Sequence, residues 1–380
     1  MLTEFYRTCL QSQLSQSQLH TLEILVWLLH QQKQVRVERL AACLPLPILF
    51  ESRRRHLQRF LILPQLSVVL LWLPLIQGII KAQIKSGNQM IIAVDRTQWR
   101  TNNLLMVSVI WAHRAWPFYW QFMPKSGSSN LEQQQAILRP VLRLLKSYQV
   151  VVVGDREFHS VKLATWLQEQ KVNFALRQKK TTYIKQTGRD YQQLSTIGLA
   201  PGIKLFFPGV AVTKTKGFAE FNLAAYWQKK SKNKALDSGW YILTNLNSLD
   251  AALHAYKARS GIEAMFKDCT SGGYNLEECK ASQERLNRIV LLIAIAYTCV
   301  GLAGQKIKRQ GQHKYVNRLK EPRRVEPRHS NFWLGLYGQT WIAGVEFCRD
   351  LVQELMRIRP NKLPFYQRGL NAMNLIQQAF

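Results

Sequence analysis

The hydrophobic positions of the first 86 residues recur at helical spacing. Val35–Leu44 predicts one short helix, Pro45 and Pro47 mark a turn, and the basic segment Glu51–Phe60 predicts another helix. Before them, apolar side chains three and four residues apart would share one face of an α-helix, at Leu19, Leu22, Ile24, Leu25, Leu28 and Leu29. Residues 1–86 are therefore predicted to form a helical domain.

From residue 87 the pattern changes to short apolar runs, which are typical of β-strands. The near-continuous valines of Val150–Val153 predict a central strand buried on both faces. Helices are predicted on either side of it, at about 130–147 and 160–170, and a further strand at 173–177. Three earlier runs separated by turns predict an antiparallel meander, at Gln89–Val94, Leu104–Ala112 and Pro117–Met123. Residues 87–177 therefore predict an α/β core, with a mixed sheet flanked by helices.

Residues 178–250 differ in texture, because short strand-like pieces alternate with basic and aromatic residues. Such a pattern suits a surface that binds phosphates and stacks bases, and equally an ordinary β core with a solvated basic face. This region is predicted to be a β-rich insertion, with strands at Lys204–Phe207, Val210–Lys214, Glu220–Trp227 and Trp240–Thr244.

After the insertion the chain is predicted to return to helix. Residues 251–304 include one helix over Asp250–Lys267 and the apolar helix Gln283–Gly304, whose cleanest apolar stretch is about 15 residues, short of a membrane span. Residues 305–380 are predicted to hold an extended basic linker at Lys306–Arg328 and one more helical segment around Trp341–Arg357.

The charge balance points to a polyanionic partner. The chain has 52 Lys and Arg against 23 Asp and Glu, a formal net charge of +29. An excess of this size favours nucleic acid, because neutralised phosphates release condensed counterions. The alternative is a protein of the ribosome or of a membrane surface. We expect double-stranded DNA as the partner and no membrane.

The cysteines indicate a reducing compartment. None of the six belongs to a C-x-x-C pair, so neither a zinc site nor a disulfide framework is predicted. The first residues also lack the basic-then-apolar order of a signal peptide. We therefore expect a cytoplasmic protein.

Three acidic residues stand where a two-metal site would need them. Asp95 follows the run Met90–Val94, Asp155 follows the valine run and Gly154, and Glu263 lies in the later helical segment. Carboxylates are hard oxygen ligands suited to Mg²⁺ or Mn²⁺, and a pair of such ions clamps the attacking and leaving oxygens of a phosphodiester. The alternative is that the aspartates are structural helix caps.

Glu263 shares a predicted helix face with Tyr256, Arg259 and Lys267, which lie at helical spacing along the segment. An acidic ligand beside these donors would hold a metal while they grip a phosphate. The alternative is a ladder of surface ion pairs, worth only tenths of a kcal/mol.

The basic helix is a second candidate for DNA contact. Arg53, Arg54 and Arg55 follow a short helix and a turn, an order consistent with a helix-turn-helix-like DNA reader. Basic helix faces are also often plain solvated surface.

Motifs in combination resemble the bacterial insertion-sequence transposases of the IS4 type. The resemblance covers about residues 30–335 and rests on Ala93-Val-Asp95-Arg-Thr-Gln-Trp99, Val153-Gly-Asp155-Arg-Glu-Phe158, Tyr256-x2-Arg259-x3-Glu263 and Trp240-Tyr-Ile-Leu-Thr-Asn245. It implies an RNase H-like catalytic core with the insertion before the last acidic residue.

The resemblance also implies roles for individual residues. Asp95, Asp155 and Glu263 would be the DDE ligands of two Mg²⁺ or Mn²⁺ ions, and Tyr256 and Arg259 match the family's Tyr-x2-Arg-x3-Glu-x6-Lys signature. The last position departs from it, because Thr270 stands where the family has Lys. Lys267 is then a candidate to contact the terminal phosphate instead.

The implied activity is cutting at the element ends and joining of the 3′-hydroxyl to target DNA, with two protomers in the synaptic complex. Two other functions fit the same residues. One is a Mg²⁺-dependent nuclease without strand transfer, and the other is a non-catalytic DNA-binding protein derived from a transposase.

Overall fold

The chain folds into two compact units in this computed structural model. One consists of Met1–Leu75 with Lys267–Phe380, and the other of Ile76–Phe266. The structure describes residues 2–124, 126–213, 219–228, 239–319, 322 and 328–380. The predicted boundaries at residues 86, 177, 250 and 304 stay predictions.

The first unit is helical throughout its described residues. A π-helical turn at Val68–Trp72 leads into a helix that runs on into the second unit, α5 (Leu73–Gln83). The unit's own helices are α1 (Glu4–Gln11), α2 (Gln16–Gln32), α3 (Val37–Cys43), α4 (Phe50–Phe60), α10 (Gln283–Arg309), α11 (Asn331–Phe347), α12 (Arg349–Ile358) and α13 (Leu363–Gln377).

Helix α10 forms the centre of this unit. It packs against α2 and α11, because its side chains from Ile289 to Val300 are apolar or small on every face and are buried. Within the described part of the chain it is also the one helix long and apolar enough to cross a membrane, and 83% of its most apolar window is buried in the structure. That burial is typical of a core helix.

The second unit is built on one mixed sheet. Three α-helices lie wholly within this unit, α6 (Leu131–Leu144), α7 (Val161–Glu169) and α8 (Leu249–Ala258). A fourth, α9 (Ser260–Cys269), begins in this unit and ends in the first. The strands are β1 (Gln89–Trp99), β2 (Asn102–Trp111), β3 (Arg114–Phe122), β4 (Gln149–Gly154), β5 (Asn173–Arg177), β6 (Tyr183–Lys185), β7 (Gln192–Gln193), β8 (Lys204–Val212), β9 (Ala219–Tyr226) and β10 (Trp240–Thr244).

The strand order confirms the predicted fold class. Strands run β3-β2-β1-β4-β5-β10-β9-β8-β6-β7 across the sheet. The meander β1–β3 is antiparallel, whereas β4 pairs parallel with both β1 and β5. This is the RNase H-like arrangement, and the strands of residues 178–250 continue the same sheet through β10. Strand β4 is central and buried from Val150 to Gly154, as its valine run predicts.

Several elements differ from their predicted limits. The helix predicted over Asp250–Lys267 is two helices, α8 and α9, which meet at Arg259. Gly261, in the first turn of α9, is a weak helix former, and a Cβ at this position would lie 3.2 Å from the backbone carbonyl carbon of Arg114. Strand β1 continues beyond Val94 because its second half pairs with β2.

The insertion and the C-terminal region also differ. The two pieces predicted at Lys204–Phe207 and Val210–Lys214 form one irregular strand, β8, which ends at Val212, and Lys214 lies outside the described residues. Helix α10 extends to Arg309 into the predicted linker, of which residues 320, 321 and 323–327 lie outside the described part. The helical segment predicted around Trp341–Arg357 is helical but divided between α11 and α12, and a further helix that was not predicted, α13, follows it.

Candidate active site

Strand register places two of the predicted carboxylates side by side. The parallel pairing of β1 with β4 ends with Val94 opposite Gly154, so Asp95 and Asp155 follow at the same level on neighbouring strands. In open α/β sheets, ligands bind outside the carboxyl ends of such strands. Asp95 is still part of β1, where it pairs with Met106 of β2.

A tight turn fixes Asp155. Its Oδ1 accepts the backbone N–H of Glu157 at 2.8 Å and caps the short 3-10 helix Arg156–Phe158. A Cβ on Gly154 would lie 2.8 Å from the Cβ of Phe158, a distance that side chains do not tolerate. Glycine is therefore required directly before the candidate ligand.

Arg259 joins the third carboxylate to the first. Its Nη1 lies 3.1 Å from Asp95 Oδ2, and its Nη2 donates to Glu263 Oε1. The Asp95 side chain is 14% exposed and that of Arg259 13%, whereas that of Glu263 is 58% exposed. The pair between Asp95 and Arg259 is thus shielded from solvent, while Glu263 reaches it from the surface.

The pKa of Asp95 reports how close the three acids are. The pKa of Asp95 is raised to about 6: burial raises it most, Arg259 and the backbone N–H of Arg96 lower it, and the charges of Asp155 and Glu263 add small increases. The three predicted carboxylates therefore share one electrostatic site, with the Arg259 guanidinium as its cation.

The side chains of Asp95, Asp155 and Glu263 are chemically suited to bind a hard divalent cation, because all three are carboxylates. In the part of the chain that the structure describes, no three His, Cys, Asp or Glu side chains are grouped closely enough to hold a metal ion. Arg259 supplies the positive charge between Asp95 and Glu263 instead.

Tyr256 lies beneath the surface of the site. It is 3% exposed, its ring makes an edge contact with Trp240 at 5.1 Å between centroids, and the Arg259 guanidinium stands 5.7 Å from its ring centre. Lys267 is exposed in the last turn of α9, one turn after Glu263. Thr270 follows directly after α9, and its hydroxyl donates to the Lys267 carbonyl.

A fourth acid, Glu157, lies beside Asp155 and is not among those predicted from the sequence. Its Oε2 accepts from Arg96 Nε at 2.8 Å, and its Oε1 accepts from both the N–H and the hydroxyl of Ser129. Three donors saturate this carboxylate, so it anchors the loop before α6 to the site. The sequence does show Glu157 two residues after Asp155. Its position in the sequence alone does not tell which of the two carboxylates faces the site.

The three arginines of the basic helix α4 differ in their contacts. Arg53 Nη1 donates to the Leu44 carbonyl at the end of α3, and Arg54 pairs with Glu51 within α4. Arg55 is exposed. All three lie in the first unit, whereas the three carboxylates lie in the second.

Comparison with known proteins matches part of this chain to one family. Residues 127–299 match the family model of the transposase DDE domain, a range that includes Asp155 and Glu263 and begins after Asp95. No curated protein matches the chain.

Among solved structures, the chain is similar to the piggyBac transposase in a cryo-EM structure of its synaptic complex with hairpin DNA. The identity is 12% and the TM-score 0.44, over 88% of this chain and 76% of that chain. The family match agrees with the resemblance seen in the sequence motifs, because residues 127–299 carry a transposase DDE domain.

Proposed function

We propose that Asp95, Asp155 and Glu263 hold two divalent cations, Mg²⁺ or Mn²⁺, with which the protein cuts DNA at the ends of an insertion element and joins the 3′-hydroxyl to target DNA. The observation that carries this proposal is geometric: strand register brings Asp95 and Asp155 to neighbouring strand ends, and Arg259 pairs with both Asp95 and Glu263. A pair of bound cations would activate the attacking oxygen and neutralise the leaving one.

Within this proposal, the ion pairs of Arg259 open as the cations bind. Like charges this close require a counter-charge, and Arg259 supplies it in the metal-free chain. Released from Glu263, the Nη2 end of its guanidinium, which faces that surface carboxylate, would be placed to contact a phosphate of the DNA. The buried Tyr256 then serves to position Arg259 through ring packing.

A transposase acts on DNA, and the net charge of +29 supports broad contact with duplex phosphates. We assign contacts to Lys267 near the site and to the helix of Arg53, Arg54 and Arg55. Arg55 is the best placed of the three for phosphate contact, because Arg53 and Arg54 already hold partners within their own unit.

Further parts of the proposal follow from the motif resemblance. The element would be of the IS4 type, the protein cytoplasmic and nucleoid-associated, and the synaptic complex a homodimer. Thr270 has a hydroxyl but no charge, so Lys267 would bind the terminal phosphate in place of the family's distal lysine.

The test is an excision assay on DNA carrying both element ends, with Mg²⁺. Asp155→Asn should abolish cutting and leave DNA binding intact, whereas the control Asp250→Asn, an exposed acid in the first turn of α8, should cut normally. Unchanged cutting by Asp155→Asn would remove this residue from the ligand set.

Two outcomes would favour the other functions. Cutting without joining of a pre-cut 3′-hydroxyl end to a plasmid would indicate a nuclease. Binding of the ends with neither cutting nor joining would indicate a non-catalytic DNA-binding protein. Comparing Thr270→Lys with the parent chain tests whether the departure from the signature limits activity.

A further inference from the structure

A basic pocket lies at the end of the sheet opposite the carboxylates. It is bounded by the C-terminal parts of α6 and α7 and by the first residues of β4 and β5, all in the second unit. Its volume is about 670 Å³. Because Asp155 follows the last residue of β4, the length of that strand separates this pocket from the candidate active site.

The pocket's charge is of one sign. No Asp or Glu occurs among the described residues that line it, and its cationic side chains are all exposed. They are Arg139, Arg143, Lys146 and Lys171. A concave surface with several cations and no acid attracts phosphate groups.

Two half-buried aromatic side chains complete the lining, Tyr148 and Trp166. The Arg139 guanidinium stands 6.0 Å from the Trp166 ring centre. A flat ring inserted between two planar groups needs about 7 Å, twice a van der Waals contact. The exposed Arg139 side chain can supply the difference by a small rotation, so a base fits between it and the indole.

Lys171 occupies a backbone position that favours glycine. Its φ is +57° at the end of α7, where its N–H donates to the Gln168 carbonyl. A lysine in the left-handed region costs stability that glycine would not. Lysine therefore stands at a backbone position where glycine would be the less strained residue.

We propose that this pocket binds a single strand of nucleic acid, with phosphates on the four cations and an unpaired base on Trp166. Basic grooves with accessible aromatic rings bind unpaired strands in this way, since every base has a stacking face. A duplex offers phosphates but no free base face. The site does not depend on the metal-ligand assignment of Asp95, Asp155 and Glu263.

The alternative is that the cations only neutralise the C-terminal ends of α6 and α7, where helix dipoles favour positive charge. That role predicts lost stability and unchanged binding on substitution. Lys171→Gly distinguishes the two roles, because it removes a cation and also removes the strain of a positive φ at this residue. It should therefore weaken binding without lowering stability.

The experiment uses the full chain and an oligothymidylate of about eight nucleotides with one 5-iodouracil, photo-cross-linked and mapped by mass spectrometry. Mapping is essential because other basic surfaces also bind the oligonucleotide. We expect adducts on the peptides of Trp166 or Tyr148. Trp166→Leu should weaken binding at this site roughly 5- to 100-fold, and Trp166→Phe should restore most of it.

Charge variants supply the second readout. Arg143→Gln with Lys146→Gln should lower the adduct yield and reduce the slope of log affinity against log salt by about 1.4. The control Lys308→Gln with Arg309→Gln removes the same charge from the last turn of α10 in the other unit and should leave the adduct yield unchanged. Lys171→Gly should lower the adduct yield without lowering the thermal midpoint.

Three results would overturn the proposal. One is adducts only outside this pocket, and another is an equal loss of adduct in the control pair. The third is equal cross-linking of the pocket by a duplex of the same length, since that would show that no unpaired base is needed.

Discussion

Asp95→Asn should make the metal-free protein more stable while abolishing DNA cutting. The carboxylate of Asp95 is ionised at neutral pH in a buried position beside two other acids, and its pKa of about 6 exceeds the ordinary value of 3.8. At about 1.4 kcal/mol for each tenfold change in proton affinity, that difference corresponds to roughly 3 kcal/mol of lost stability at pH 7.5. Asparagine has nearly the same shape and no charge to desolvate.

The pH dependence of this effect has a defined sign. Since the folded chain binds this proton more tightly than the unfolded chain, folding gains stability as pH falls from about 6 towards 4, and the full penalty is present above pH 6. The stability difference between Asp95→Asn and the parent should therefore be largest above pH 6 and shrink towards zero near pH 4.

The assay is thermal unfolding in EDTA across this pH range. A gain of 2–3 kcal/mol would raise the midpoint of the second unit by roughly 4–10 °C. The matched control is Glu157→Gln, which removes the same charge at the same site. It should lose roughly 1–3 kcal/mol, because Arg96 would be left without its carboxylate.

Adding Mg²⁺ should stabilise the parent and not Asp95→Asn, because binding to the folded state alone raises its stability. If Asp95→Asn is less stable than the parent above pH 6, or if the difference between them does not change with pH, the buried charge of Asp95 does not destabilise the fold.

Three further predictions concern the supporting structure. Gly154→Ala should cost about 1–3 kcal/mol by overpacking against Phe158 and should slow cutting by displacing Asp155, as measured by unfolding and by excision. Burial lowers the pKa of His30 to about 4, so as pH falls from 6.5 to 4 the first unit should lose roughly 3 kcal/mol, a loss that His30→Gln removes in pH-dependent unfolding. Asn130→Ala should cost about 1 kcal/mol through the lost capping box of α6 and leave excision unchanged, so a large loss of cutting would contradict its purely structural role.

The fold class and the pairing of the two aspartates could be predicted from local sequence patterns. The valine run of β4 and the apolar run of β1 each end beside an aspartate, and parallel pairing turns these two local signals into adjacent side chains. The predicted alignment of Tyr256, Arg259 and Glu263 on one helix face holds only in part. The chain changes helix at Arg259, and Tyr256 is buried.

What local patterns could not supply depends on tertiary contacts. Arg259 reaches Asp95 across 164 positions of sequence, and Glu157 takes its partners from β1 and from the loop before α6. The sequence does not predict where α11 ends and α12 begins. This boundary, between Phe347 and Arg349, has no proline or glycine to mark it.

An electron paramagnetic resonance titration with Mn²⁺ would measure whether the three carboxylates hold the divalent cations. With a pre-cut element end bound, the parent chain should bind two ions, and Asp95→Asn, Asp155→Asn and Glu263→Gln should each lose at least one. Two ions bound with parental affinity by all three variants would contradict the account.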